Sequence, residues 1–192
     1  MSDKEKQEHT LTDSEKKALL TIARNAIERA IVGTQKKLPE YDMPVLHEKR
    51  GAFVTIHNQG DLRGCIGYVV GHRPLKETVE EMAQAAALRD TRFKPVSASE
   101  LSEIDLEISV LSPLYKVQDV NEIKVGTHGL MIRAGQYSGL LLPQVAVEHK
   151  WDRKVFLEYT CMKAGLFKDA WKDEDTTLYI FSAQVFSEKE MS

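Results

Sequence analysis

The sequence predicts an α+β fold with largely antiparallel sheets, and three observations carry that expectation. Helical-period stripes and strand-like segments are interspersed along the chain. The strand-like segments come in pairs around short polar turns, as in hairpins. There is no regular strand–helix–strand alternation of the kind that builds a parallel sheet.

Residues 1–10 read as a charged tail. Thr12 and Glu15 have the spacing of a capping box. Apolar residues at 19, 22, 23, 26, 27, 30 and 31 then form one helical stripe, Arg24 and Glu28 are expected to face water, and Gly33 is the stop. Segment 34–50, with Pro39 and Pro44, reads as a loop. A strand over 52–57, a turn at Asn58-Gln59-Gly60-Asp61 and a second strand from Leu62 to Val70 make a hairpin whose second arm holds Gly64 and Gly67. Pro74 starts a second helix with a stripe at Leu75, Val79, Met82, Ala83 and Ala86, ending near Leu88. Ser97 and Glu100 mark a short capped turn, and Ile104 to Val110 alternate as a half-buried strand that ends at Ser112-Pro113. Leu130–Arg133 and Ser138–Leu142 form a second hairpin, closed off by Pro143. Asp152 caps a third helix carrying Val155, Phe156, Tyr159 and Met162, with Gly165 as its stop and a further turn at 168–171. Thr176 to Phe186 is apolar on both faces and reads as one interior strand.

The chain has 192 residues, 42% hydrophobic and 29% charged, a size for one domain or two small lobes. No apolar run exceeds four residues, far below the ~20 of a membrane helix. The start, MSDKEKQEHT, lacks the apolar core of a signal peptide. A net charge of −3 disfavours a general nucleic-acid binder, because phosphate neutralisation needs a basic surface. Two cysteines make no disulfide framework, which points to a reducing cytoplasm.

The chemically richest segment is Leu62-Arg63-Gly64-Cys65-Ile66-Gly67. Bare backbone at Gly64 and Gly67 allows close approach of a ligand. Arg63 offers a planar fork to a carboxylate or phosphate. Cys65 is either a nucleophile activated by a positive neighbour or a small packing residue. Arg63 and Cys65 share parity along a strand, so both side chains leave on one face unless a bulge at Gly64 breaks the relation. Asp90 and Arg92, just past the second helix, either pair on the surface or reach a ligand. Gln144 reads an amide or caps local backbone, and Lys163 suits a helix C-terminus or a cleft. Trp151 and Trp171, with Phe156 and Tyr159, read as core around the third helix. Histidines at 9, 47, 57, 72, 128 and 149 show no local metal spacing, although a site from His128, His149 and a carboxylate is conceivable in three dimensions. There is no P-loop and no complete GxGxxG, and no cofactor is indicated.

Several segments together resemble the AMMECR family, closely the prokaryotic branch called AmmeMemoRadiSam system protein A. They are Arg50–Thr55, Leu62–Gly67, Asp90–Phe93, Glu107–Leu111, Gly139–Val145, Trp151-Asp152, Cys161–Leu166 and Asp169–Trp171, in family order across residues 11–187. Thr91 stands where that family often has Pro, and Phe167-Lys168 replaces a frequent Pro pair. The resemblance implies a two-lobe α+β domain whose larger lobe is built from both chain ends, with a functional cleft between lobes. It carries Arg63, Gly64, Cys65, Gly67, Asp90 and Arg92 over as candidate site residues. It also implies a pathway shared with a Memo-type protein and a radical S-adenosylmethionine enzyme. Three functions stay open: an enzyme of small anionic or side-chain substrates with Cys65 as candidate nucleophile, a non-catalytic accessory subunit for those partners, and, less favoured, a nucleic-acid-associated regulator.

Overall fold

The computed structural model describes residues 10–33 and 40–191. The charged tail at 1–10, apart from Thr10, lies outside these residues, as does the part of loop 34–50 that holds Pro39. The fold is α+β with two four-stranded antiparallel sheets. It divides into two compact units, the first taking both ends of the chain (1–111 and 184–192) and the second spanning 112–183.

The first unit is built on helix α1 (Asp13–Val32), the hairpin β1 (Ala52–Asn58) and β2 (Asp61–Tyr68), helix α2 (Leu75–Leu88), strand β3 (Ile104–Leu111), strand β8 (Ala183–Ser187) and a terminal turn α5 (Glu188–Met191). Thr12 caps α1 with the reciprocal Glu15 bond, and Gly33 ends it in the left-handed conformation. The sheet order is β2-β1-β3-β8. Ala52, Val54 and Ile56 on β1, and Leu106, Ile108 and Val110 on β3, bury one face against Leu19, Ala23 and Ile27 of α1 and Val79, Met82 and Ala83 of α2. The alternate residues Phe53, Thr55 and His57 lie half-buried on the opposite face.

Arg24 corrects the expectation of a water-facing residue. Its guanidinium donates to the carbonyls of Leu101 (3.0 Å) and Ile104 (2.9 Å) and pairs with Glu188, so it ties α1 to the start of β3 and to the chain's end. Sequence periodicity placed it off the apolar stripe, but an arginine reaches across its own helix to distant acceptors.

The second unit contains β4 (Tyr115–Lys116), β5 (Gly129–Ala134), β6 (Tyr137–Leu141), helices α3 (Pro143–Glu148) and α4 (Arg153–Lys163), and β7 (Thr176–Phe181), with sheet order β4-β7-β5-β6. Its core gathers Leu130, Ile132, Phe156, Leu157, Cys161 and Leu178. Pro143 both ends the hairpin and occupies the first turn of α3, a helix absent from the sequence reading. The expected single strand from Thr176 to Phe186 is two strands in different sheets, broken at Ser182. There the Ser182 N–H donates to Ser112 Oγ at 2.9 Å and the Ser112 N–H donates to Ser182 O at 3.0 Å, a reciprocal clasp that ends the ladder. Apolar patterning is continuous through the break because both strands serve cores.

Candidate functional site

The hexamer Leu62–Gly67 lies on β2, the edge strand of the first sheet. Cys65 opposes Thr55, Gly64 opposes Ile56, and the next pair is Leu62 with His57. Arg63 is therefore the extra residue of a bulge, one position before Gly64.

Four residues of the hexamer have distinct structural tasks. Gly64 faces α2 so closely that a Cβ there would lie 2.3 Å from the Ala86 carbonyl oxygen. Gly67 lies under Phe53, whose ring would meet an added Cβ at 2.3 Å. The bare backbone expected to admit a ligand is thus occupied by a helix carbonyl at one glycine and an aromatic ring at the other. Ile66 packs against the core. Arg63 swings to the sheet edge, where Nε donates to Glu100 Oε1 at 2.8 Å and Nη1 to the Lys94 carbonyl at 2.8 Å. Its Nη2 reaches Glu100 Oε2 at 3.3 Å and the Pro95 carbonyl at 3.4 Å. The guanidinium is a staple that fastens segment 94–100 to β2. In return it holds the Glu100 carboxyl down at about 2 from an ordinary 4.5, helped by the Ser97 N–H and opposed by burial.

Asp90 and Arg92 cap the free edge of β2 at Cys65. The Cys65 N–H donates to Asp90 Oδ2 at 2.8 Å, and Arg92 Nη2 donates to the Cys65 carbonyl at 3.3 Å. Both backbone groups of Cys65 point away from β1, so Cys65 and Thr55 form a non-hydrogen-bonded pair, the closer of the two antiparallel pairings. That proximity lets Thr55 Oγ1 donate to Cys65 Sγ at 3.2 Å. Asp90 is buried, and the Arg92 guanidinium holds its carboxyl well below the usual carboxylate range, with the N–H groups of Cys65 and Arg92 adding to the effect against burial. The pair is bidentate, Nε to Oδ1 at 2.9 Å and Nη2 to Oδ2 at 2.6 Å. Asp90 above all raises the pKa of Arg92, and the nearby Cys65 sulfur contributes in the same direction. Arg92 remains 54% exposed, and neither N–H of its Nη1 is used among the described residues.

Cys65, Asp90 and Arg92 therefore come together, while Arg63, Gly64 and Gly67 are committed to architecture around them. Reading by type and local spacing left out two residues, Thr55 and Glu107, that lie in the same row as Cys65. Register aligns Cys65 with Thr55 and Thr55 with Glu107, one row across β2, β1 and β3. Their alternation with core residues was the available signal, and the pairing that joins them is long-range. Burial raises the Glu107 carboxyl above its usual value, Glu190 and Asp105 add to the shift, and His57 opposes it.

The remaining candidates lie in the second unit and are described within it. Gln144 is half-buried in the first turn of α3, and Lys163 is exposed at the end of α4. Trp151 stacks between His149 and Tyr159 at centroid distances of 4.7 and 4.1 Å, and Trp171 packs against the core. Cys161 is fully buried, and burial pushes its thiol up. His128 Nδ1 accepts the Lys124 N–H, and among the described residues no group of three His, Cys, Asp or Glu is placed to hold a metal. No described helix is long and apolar enough to cross a membrane.

A protein of Methanothermobacter thermautotrophicus is 45% identical over 186 residues, covering 93% of this chain and 96% of its own. One of Thermococcus onnurineus is 47% identical over 89% of each chain. The crystal structure of an uncharacterized protein from Pyrococcus horikoshii superposes with a TM-score of 0.79 at 43% identity, covering 89% of this chain and 90% of its own. The AMMECR1 family model matches residues 20–186, a span that holds β2, the Asp90–Arg92 edge cap and the Thr55–Glu107 row, and the chain belongs to that family.

Proposed function

We propose that the face of the first sheet around Cys65 is an enzymatic site for a small anionic substrate or an acidic side chain, with Arg92 holding the anion and Cys65 attacking it. The observation that supports this most is the pairing of a half-exposed thiol with a guanidinium that still has unused donors beside it. The buried Asp90 fixes Arg92 bidentately and in doing so leaves Nη1 pointing away from its partner. Thr55 donates its hydroxyl proton to the sulfur and so fixes the sulfur on this face of the sheet.

The test needs no known substrate. Cys65 of the full chain is alkylated at low ionic strength with iodoacetate and with the neutral iodoacetamide, and the ratio of rates is compared with that of glutathione. One neighbouring positive charge contributes about 1 kcal/mol of attraction in a wet site, so iodoacetate should be favoured about fivefold over the free-thiol ratio. The preference should vanish in Arg92→Ala and fade with added salt. A ratio equal to that of glutathione, or one indifferent to Arg92→Ala, overturns the reading. Buried Cys161 should stay unlabelled throughout and reports that the fold persists.

A further inference from the structure

The row Cys65–Thr55–Glu107 contains more than the thiol. Directly opposed residues in neighbouring strands project to the same face. Thr55 therefore lies between a thiol on one side and a carboxyl on the other. Two strand spacings, about 10 Å, separate the outer backbones. Glu107 is half-buried, yet among the described residues its carboxylate accepts no hydrogen bond and joins no ion pair. Carboxylates close by do have partners. Asp90 has Arg92, Glu100 has Arg63, and Asp105 has Lys189 at 3.8 Å. A half-buried carboxyl without a partner is unfavourable unless something else takes its proton or its hydrogen bond. The charged groups that act on it are His57 from β1, Asp105 from its own strand, and Glu190 from α5, where Lys189 is already engaged with Asp105.

We propose that Glu107 is the proton-transferring group of this site, and that the chemistry it serves is addition of the Cys65 thiol to a polarised double bond (C=O or conjugated C=C) next to the anionic group held by Arg92. This rests on the reading of Cys65 and Arg92 given above and adds to it a substrate class and a second chemical group. The step balances without an oxidant or reductant. The thiol proton passes to the Glu107 carboxylate through one bridging water, and the sulfur electron pair forms the S–C bond. The π pair moves to the far atom of the double bond, and Glu107 returns the proton there. One S–H and one double bond become one S–C bond and one new O–H or C–H, and Glu107 ends as it began. Burial raises this carboxyl above its ordinary value, the direction that suits a group which must both take and return a proton.

Two electrophiles separate this role from mere proximity. Iodoacetamide alkylates by displacing iodide and needs no proton, whereas acrylamide alkylates by addition and consumes one. Rates at Cys65 are measured between about pH 5 and 9 for the wild-type chain, Glu107→Gln and Glu107→Asp. Glu107→Gln should lower the acrylamide-to-iodoacetamide ratio about tenfold, less than a positioned acid achieves on its own substrate. Glu107→Asp should recover part of it, and the iodoacetamide rate, which depends only on removal of the thiol proton and not on its return, should fall by the smaller factor. An unchanged ratio in Glu107→Gln overturns the proposal, and if Arg92-dependent iodoacetate preference persists alongside it, only Glu107's role is lost. Loss of that preference in the wild-type chain removes the site reading itself. Should Glu107→Gln expose Cys161 to labelling, a second measurement decides. The Glu107 carboxyl carbon is titrated by NMR before and after carboxymethylation of Cys65, where the added negative charge should shift the titration upward, and no shift overturns the proposal.

Discussion

Gly64→Ala tests whether the central glycine of the hexamer serves packing or a ligand. The added Cβ would lie 2.3 Å from the Ala86 carbonyl oxygen and 3.2 Å from its carbon. Ordinary contact starts at 3.4 Å, so strand and helix must separate by 3.4 − 2.3 = 1.1 Å. Neither partner yields easily. The obstructing atom is backbone, and α2 is held by Val79, Met82 and Ala83, all buried. Overpacking a core costs about 1–3 kcal/mol, and a backbone obstacle belongs at the upper end. Alanine also narrows the unfolded ensemble, which offsets about 0.4–1 kcal/mol. The contact wins, and the net loss is about 2 kcal/mol. For a unit of this size that corresponds to a fall in Tm of about 6–10 °C. Urea unfolding followed by far-UV circular dichroism reads the loss, and an unchanged slope confirms that the change is in stability. A Gly64→Ala chain within about 0.5 kcal/mol of wild type refutes the packing argument. Full stability with loss of the iodoacetate preference would instead return Gly64 to the ligand role its residue type suggested.

Two other substitutions probe the same frame. Glu100 is held at about 2 from 4.5, so its bond to Arg63 stabilises fully above about pH 5 and is lost as the pH falls through about 2. With both side chains mostly sheltered, at 17% and 24% exposed, the contribution at neutral pH is about 2 kcal/mol after allowance for screening. The stability gap between wild type and Arg63→Ala should therefore be widest at pH 7 and shrink steadily in acid, and a gap independent of pH refutes the assignment. Gly67→Ala meets the Phe53 ring at 2.3 Å and the Ala52 carbonyl at 2.5 Å. The ring can turn aside but the carbonyl cannot, so about 1–2 kcal/mol should be lost, with only partial relief on adding Phe53→Leu. Simple additivity of the two losses in urea unfolding would show that ring and glycine do not meet.

Local signals carried much of the fold. The Thr12–Glu15 box, the stripes of α1 and α2 and the first hairpin depend on residues a few positions apart, and all stand where periodicity puts them. What depended on distant partners was illegible. The break at Ser182 exists because Ser112, seventy positions away, clasps it. Arg24 is drawn from water by acceptors at 101, 104 and 188. The site divides in the same way. Residue type picked out Cys65, Asp90 and Arg92, whereas the partner of Arg63 at Glu100 and the alignment of Glu107 with Cys65 are products of chain crossing and strand register. Glu100 was legible only as half of its local capping box with Ser97, which it also forms.

Density of unusual residues in one hexamer invites the view that all of them touch a ligand. Physical accounting distributes them otherwise. Remove each side chain in turn from Arg63, Gly64, Ile66 and Gly67, or add one, and an identifiable structural contact fails: an ion pair at the edge, a helix seated on a strand, a core contact, a ring over a glycine. Cys65, unlike these four, has a side chain that no such contact requires. Its backbone is bound on both polar groups by Asp90 and Arg92, but its sulfur lies half-exposed with a single hydroxyl donated to it. Those four positions thus hold Cys65 at the sheet edge beside Arg92. A buried, bidentate carboxylate and a bulged, stapled strand are a stiff support for one thiol, and stiffness of the supporting shell is what a reactive group needs to meet its substrate at fixed geometry. The second cysteine provides the contrast within the same chain. Cys161 lies fully buried among Leu130, Phe156 and Leu178, and burial drives its thiol away from the thiolate. Selective alkylation of one and protection of the other is the outcome this division of labour requires.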